Sequence, residues 1–162
     1  MKTVRSPIVV ASLLAISSFG VSASPGSQDR HANDGIRDQF VGAWRLVSLD
    51  EPGADGAIHR ADGTGMLVFT REGRISVQVM YRSSQADASG GPVQYAQGGY
   101  EASFGRYEID AGSRQFTYHV EGALVRSLVG KDLARGFDLS GRQLTVTPSS
   151  PNEHWRVVWE HY

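Results

Sequence analysis

Short segments in which hydrophobic and polar residues alternate run through most of the chain from residue 40 onward. Successive side chains of a β-strand point to opposite faces, so this pattern is typical of strands with one buried face. Turns rich in Gly, Pro, Asp and Ser separate eight such segments: 40–50, 66–70, 74–82, 103–110, 114–123, 131–140, 143–147 and 155–161. No long helical periodicity and no internal repeat accompanies them, so the pattern predicts an all-β protein.

The first and last segments indicate how the sheet ends. Gly42, Trp44, Leu46 and Ser48 share one face of the first strand, and a Trp at this position is suited to filling one end of a small barrel. The final segment lies at the C-terminus, where pairing with the first strand would remove both exposed sheet edges. We therefore predict a single eight-stranded antiparallel barrel with a central cavity.

The intervening sequence is assigned by composition. Residues 24–39 are polar and contain Pro25 and two Gly, which predicts a flexible leader, with at most one helical turn just before Phe40, ahead of a barrel domain at 40–162. Residues 51–65 read as a loop over one barrel end. Residues 83–99 are long for a loop in a compact domain, which indicates either a functional lid over the barrel mouth or simple disorder, and residues 92–97 could form a short helix.

The N-terminus has the features of a cleavable signal peptide. Lys2 and Arg5 precede an uncharged apolar stretch, and Val21-Ser22-Ala23 provides a small-residue cleavage site. We expect residues 1–23 to be removed, which places the mature protein in the periplasm or outside the cell, with no stable membrane anchor.

Charge and cysteine content narrow the possible functions. The formal charge is −1, and loss of the two cations of the signal leaves −3 without any basic block, which disfavours nucleic acid as a partner. The absence of cysteine excludes disulfides and thiol catalysis. No nucleotide-binding or nucleophile-elbow motif is present, so no cofactor is predicted, and no metal site is predicted because close His–His spacing is missing.

The segment 115–122 offers the most informative polar residues. Thr117, His119 and Glu121 share one face of this strand, and the simplest interpretation places that face in water. On the next strand, however, Arg135 shares its face with two apolar residues and should point into the barrel, where a guanidinium needs a carboxylate. The alternative is therefore a Glu121–Arg135 pair inside the cavity with His119 beside it.

Four further residues are candidates for binding a ligand in the cavity. Gln78 and Met80 share a mixed face that would suit a cavity wall, although the opposite Ile and Val face is the ordinary choice for a core. Tyr107 would supply a hydroxyl, and Trp44 would cover one end.

Several stretches in order resemble one known family. FVGAWRLVSLD, GMLVFTREGRISVQVM, SFGRYEID and the terminal VVWEHY are similar to segments of the bacterial and fungal lipocalin-like domain family. The resemblance spans residues 40–162 and implies an eight-stranded barrel with a central cavity, without implying particular catalytic residues. The chain differs from the family in the Gly-rich segment before Tyr100 and in Tyr118, where a second His is common.

Three functional hypotheses follow. The first is an exported barrel that binds a small, partly apolar or amphipathic molecule, with Glu121, Arg135 and His119 holding its polar end. The second is a cofactor-free lyase, isomerase or cyclase in which His119 transfers protons, Arg135 stabilises an oxyanion and Glu121 orients it. The third is a structural protein whose barrel is filled by side chains. Whether the protein is an enzyme, and its oligomeric state, stay open at this point.

Overall fold

The computed structural model describes residues 25–53, 55–82 and 99–162. They form one α-helix, nine β-strands and a short 3₁₀-helix at Arg126–Leu128. In chain order the helix and strands are α1 (Pro25–Phe40), β1 (Gly42–Pro52), β2 (Ile58–Arg60), β3 (Gly63–Phe69), β4 (Arg74–Tyr81), β5 (Tyr100–Asp110), β6 (Gln115–Ala123), β7 (Asp132–Ser140), β8 (Gln143–Pro148) and β9 (Arg156–His161).

Eight antiparallel strands close into a barrel. Strands β3 to β9 pair in sequence order, and β1 pairs with β3 on one side and with β9 on the other. The predicted all-β fold with its first and last strands paired is therefore confirmed. Strand β2 is an addition within the stretch predicted as a loop, and it pairs only with the end of β1.

The first strand contains an irregularity that alternation alone does not reveal. The pairing of β1 with β9 shifts register between Leu46 and Ser48, as a β-bulge does. Beyond the bulge the inner face continues with Leu49 and Glu51, and both residues are buried. The prediction that Ser48 continues the face of Trp44 along an unbroken strand is thus wrong.

One end of the barrel is filled by aromatic rings. Phe40 is fully buried at the end of α1, and its ring centroid lies 4.9 Å from that of Phe69 and 5.0 Å from that of Phe137. The Trp44 indole N–H donates a hydrogen bond of 2.8 Å to the Phe40 carbonyl. Trp44 therefore fixes the end of the helix to the barrel. We call the end of the barrel that contains these aromatic rings the closed end.

Residues 25–40 form α1 where the sequence predicted a flexible leader. The helix is held by tertiary contacts: the Asn33 side-chain oxygen accepts a 2.8 Å hydrogen bond from the backbone N–H of Ala111, and Asp38 pairs with Arg71 at 2.7 Å. Ile36 also packs against the core. Helices in proteins draw most of their stability from such packing, which composition does not reveal.

The segment 83–98, which covers the predicted lid and the short helix at 92–97, lies outside the described residues. Strand β4 ends at Tyr81 and β5 begins at Tyr100, and both of these residues lie at the opposite end of the barrel from Phe40. Within the described ranges, no helix has the length and apolar character required to cross a membrane.

Candidate functional site

A cavity of about 80 Å³ occupies the barrel beyond the aromatic cluster. Every one of the eight barrel strands contributes to its lining. Most of the lining is aliphatic or aromatic and includes Leu49, Leu67, Ile75, Val120, Val146, Val157 and Trp159. This alternation of inward apolar and outward polar residues is the pattern from which the strands were predicted.

Four polar residues interrupt this apolar wall: Glu101 and Ser103 on β5, Tyr118 on β6 and Arg135 on β7. Ser103 and Tyr118 are only 4% and 5% exposed, and neither hydroxyl has a hydrogen-bond partner within the described part of the chain. Burial raises the pKa of Tyr118 to about 12, and the neighbouring Ser103 hydroxyl partly opposes that rise. The two hydroxyls are thus close enough for a weak mutual interaction, but neither makes a hydrogen bond of normal distance and angle with another described residue.

The Glu101 carboxyl is in an unusual environment for an acid. Burial raises its pKa to about 7, and the positive charge of Arg135 acts in the opposite direction. By surface area Glu101 is only partly buried. The surrounding protein atoms nevertheless remove enough water from the carboxylate that this desolvation outweighs the effect of Arg135 on its pKa. This carboxyl therefore holds its proton to a much higher pH than an ordinary glutamate does.

Arg135 faces the cavity and is 7% exposed. Its Nη1 donates a hydrogen bond of 3.1 Å to the Ala134 carbonyl and lies 3.8 Å from Glu153 Oε2. The guanidinium also lies over the Trp155 ring, with its carbon 5.1 Å from the ring centroid. The sequence predicted Glu121 as the carboxylate partner of Arg135. In the structure the carboxylate beside Arg135 is that of Glu153.

Glu121 lies on the outside of the barrel. Its carboxylate accepts hydrogen bonds from Arg74 Nη1 at 2.7 and 2.9 Å and from Arg106 Nε at 3.0 Å. Arg74 and Arg106 are directly opposite each other on β4 and β5. The negative charge of Glu121 between them offsets the repulsion of these two positive charges. The predicted Glu121–Arg135 pair inside the cavity is wrong, because the fold satisfies Glu121 from the outer face.

His119 is on the same outer face. Its Nδ1 is 2.7 Å from Asp132 Oδ1, and its Nε2 is 3.8 Å from Glu108 Oε1. The inner face of β6 instead carries Phe116, Tyr118 and Val120, as the simplest interpretation of the alternation predicted. The proposed catalytic set of His119, Glu121 and Arg135 is therefore divided between the two sides of the barrel wall and forms no common site.

The remaining sequence-predicted ligand-binding residues also lie away from the cavity. Gln78 and Met80 point outward from β4, where Ile75, Val77 and Val79 face the cavity because the more apolar face is buried. Trp44 and Tyr107 are buried, but both belong to the closed end, and the Tyr107 hydroxyl donates to the Thr70 carbonyl at 2.9 Å. Of the predicted residues, only Arg135 lines the cavity, and its role in binding stays a prediction.

Sequence reasoning missed Glu101, Ser103 and Tyr118 as cavity residues. The alternation in β5 does contain this information. Every second residue of a strand shares a face, so the face of Tyr107 also includes Ser103 and Glu101 toward the N-terminus. Tyr118 alternates with the polar residues of β6, so the same spacing places it on the apolar face that lines the cavity. Among the described residues, no three His, Cys, Asp or Glu side chains lie close enough together to hold a metal ion.

The family is decided by a match along almost the whole barrel: a family model described as "Lipocalin-like domain" matches residues 41–161. The chain belongs to the lipocalin-like domain family. A lipocalin-like barrel suggests ligand binding in general, in agreement with a hollow interior that has a few polar groups. No curated protein matches this lipocalin-like chain.

Two solved structures resemble this lipocalin-like protein. A lipocalin-like protein from Bacteroides uniformis is 16% identical, with coverage of 76% of this chain and 99% of that one and a TM-score of 0.45. An uncharacterized protein from Bacteroides eggerthii is 14% identical, with the same two coverages and the same TM-score.

Proposed function

We propose that this lipocalin-like protein is exported and binds a small, partly apolar molecule in its barrel cavity. The observation that carries the proposal is the division of the barrel interior into two parts. Aromatic rings fill the closed end, whereas the other end contains a cavity with apolar walls and unpaired buried hydroxyls. A barrel serving only a structural role needs no such cavity, because filling it would add stability.

The cavity volume limits the size of the ligand. Its 80 Å³ is well below the roughly 300–1,000 Å³ of pockets that enclose drug-sized ligands. An apolar cavity of about 150 Å³ is the size that holds benzene, so a single-ring molecule is the upper limit here and enters only when lining side chains move apart, whereas a long acyl chain or a polycyclic compound is too large. The apolar walls supply most of the binding free energy, since burying apolar surface contributes about 25 cal/mol per Å².

The enzyme hypothesis has no support from this arrangement. It required His119 beside Arg135 inside the barrel, and His119 instead interacts with Asp132 on the outer surface. Proton transfer by His119 to a ligand in the cavity would need its imidazole within hydrogen-bond reach of that ligand. The geometry therefore favours binding over the proposed lyase, isomerase or cyclase chemistry.

Binding is tested by calorimetry and by tryptophan fluorescence. Trp155 and Trp159 line the cavity, so a bound molecule should change their emission. The panel contains p-cresol, p-xylene, a monoterpene and a fatty acid. We expect saturable binding of at least one single-ring compound, and failure of the whole panel would contradict the proposal.

A pair of matched variants locates the binding site. Leu133→Trp enlarges a half-buried lining residue and should abolish binding by filling the cavity. His119→Ala changes the outer face of the neighbouring strand and should leave affinity unchanged. Equal binding by Leu133→Trp and the wild type would place the ligand elsewhere.

Export is supported by the charged start, apolar stretch and small-residue cleavage site of residues 1–23. Cleavage before Ser24 would leave the whole of α1 in the mature chain, since α1 begins at Pro25. Mass spectrometry of the protein recovered from the periplasm or medium of the native host should give a chain beginning at Ser24. An uncleaved chain confined to the cytoplasm would overturn this part of the proposal.

A further inference from the structure

The polar groups of the cavity carry information on the ligand beyond its size. We propose that the cavity selects small, uncharged single-ring molecules bearing a hydroxyl group, which the Ser103 and Tyr118 hydroxyls bind. This inference rests on the proposed function, because it names the ligand class of the same cavity.

The first observation is the pair of unpaired hydroxyls. Ser103 Oγ and Tyr118 OH come from neighbouring strands and line the same cavity, and neither makes a hydrogen bond of normal distance and angle with another described residue. A buried hydroxyl without a partner lowers stability, and buried polar groups in proteins are nearly always satisfied. Each hydroxyl can donate and accept one hydrogen bond, so together they suit a ligand hydroxyl, which has the same dual capacity.

The second observation is a contrast between two tyrosines. Tyr107 and Tyr118 are direct partners across β5 and β6, and both side chains point into the barrel. The Tyr107 hydroxyl is satisfied by the Thr70 carbonyl at the closed end, whereas the Tyr118 hydroxyl is directed at the cavity. The fold thus pairs the hydroxyl that lies outside the cavity and leaves the one that faces the cavity without a hydrogen bond of normal geometry.

The third observation is the charge around the cavity. Arg135 is the cationic residue of the lining, and it has Glu153 at 3.8 Å and Glu101 as a second nearby acid. An anionic ligand would have to compete with these carboxyls for the guanidinium. A cationic ligand would meet the Arg135 charge in a poorly solvated cavity. An uncharged ligand avoids both costs, which excludes fatty acids and amines as the favoured class.

The test compares ligands of nearly equal shape. p-Cresol differs from p-xylene by a hydroxyl in place of a methyl group, and benzoate and benzylamine add an anion and a cation on the same ring. We expect wild-type protein to bind p-cresol about tenfold more tightly than p-xylene, as one or two recovered hydrogen bonds allow. Both charged rings should bind more weakly than p-cresol.

Variants assign the preference to the two hydroxyls. Tyr118→Phe removes only an unpaired oxygen, so it should fold as well as the wild type while reducing the p-cresol preference about fivefold or more, with p-xylene affinity retained. Ser103→Ala should act in the same direction. The matched control, Tyr107→Phe, should lower thermal stability by loss of its hydrogen bond and leave the ligand preference unchanged.

The outcomes separate this inference from the proposed function. If the protein binds neither p-cresol nor p-xylene, both the inference and the proposed function are contradicted. Equal binding of p-cresol and p-xylene, or tighter binding of benzoate or benzylamine, overturns the inference and leaves the cavity as a binding site. Retention of the full p-cresol preference in both Tyr118→Phe and Ser103→Ala also overturns it.

Discussion

The Arg135 guanidinium lies over the Trp155 ring, with its carbon 5.1 Å from the ring centroid. Glu153 connects the same two residues, because its Oε2 accepts a 2.9 Å hydrogen bond from the Trp155 indole N–H and lies 3.8 Å from Arg135 Nη1. A buried cation is thus held between an aromatic face and a carboxylate. This arrangement keeps Arg135 fixed at the edge of the cavity.

Removing the charge of Glu153 should destabilise the protein. Glu153→Gln retains an acceptor for the indole N–H but removes the negative charge that lies 3.8 Å from Arg135 Nη1, and we expect the free energy of unfolding to fall by about 1–2 kcal/mol. Asp138→Asn is the control, because it disrupts an ion pair whose side chains are 72% and 59% exposed and should change little. Urea denaturation measures the free energy of unfolding of both variants. An equal loss in the two would show that the buried Arg135–Glu153 pair contributes no more stability than the exposed pair.

The raised pKa of Glu101 makes stability depend on pH. Because its pKa is about 7 in the folded protein and 4.5 as the ordinary value, the folded state binds more protons than the unfolded chain between these limits. The free energy of unfolding should therefore fall as pH rises through this window, by at most about 3 kcal/mol from this group. Urea denaturation at pH 5 and pH 8 measures the change.

Two carboxyl-to-amide variants on β5 identify the source of that pH dependence. Glu101→Gln cannot ionise, so it should remove this contribution and be more stable than wild type at pH 8. Glu108→Gln lies on the outer face of the same strand, with a side chain 74% exposed, and should retain the wild-type behaviour. The same pH dependence in Glu101→Gln and wild type would contradict the assignment.

The closed end depends on one phenylalanine. Phe40 is fully buried among aromatic rings at the junction of helix and barrel, so Phe40→Ala should lower the free energy of unfolding by about 3–5 kcal/mol. Phe104→Ala is the control on the outer face, where the side chain is 58% exposed, and should cost less than about 1 kcal/mol. Limited proteolysis should also cut α1 faster in Phe40→Ala, and an unchanged cleavage rate would mean that Phe40 does not anchor the helix.

Gly105 is required by a close approach of two strands. A Cβ there would lie 1.9 Å from the His119 carbonyl oxygen, next to the register shift at which β6 bulges past β5. Because backbone would have to move, Gly105→Ala should cost several kcal/mol, roughly 2–4. Gly35→Ala in α1 has open space around it and should stabilise the helix by about 0.5–1 kcal/mol. Similar melting temperatures for the two variants would contradict this account.

The sequence by itself determined most of the barrel. Alternation located eight strands, Gly73 marked the turn between β3 and β4 with a φ of 81°, and the apolar terminal segments predicted closure. These features are local, because residue type and spacing decide strand periodicity and turns. The same alternation divided β6 correctly into one face with Tyr118 and another with His119.

Only the tertiary structure decided which of those faces contains the site. Alternation shows which side chains share a face, but the partners of that face come from other strands at long sequence separation, as with Glu121 and Arg74. The bulges in β1 and β6 and the packing of α1 likewise depend on contacts between distant segments. The convergence of Glu101, Ser103, Tyr118 and Arg135 on one cavity follows from the curvature and register of a closed sheet, which no single segment of sequence specifies.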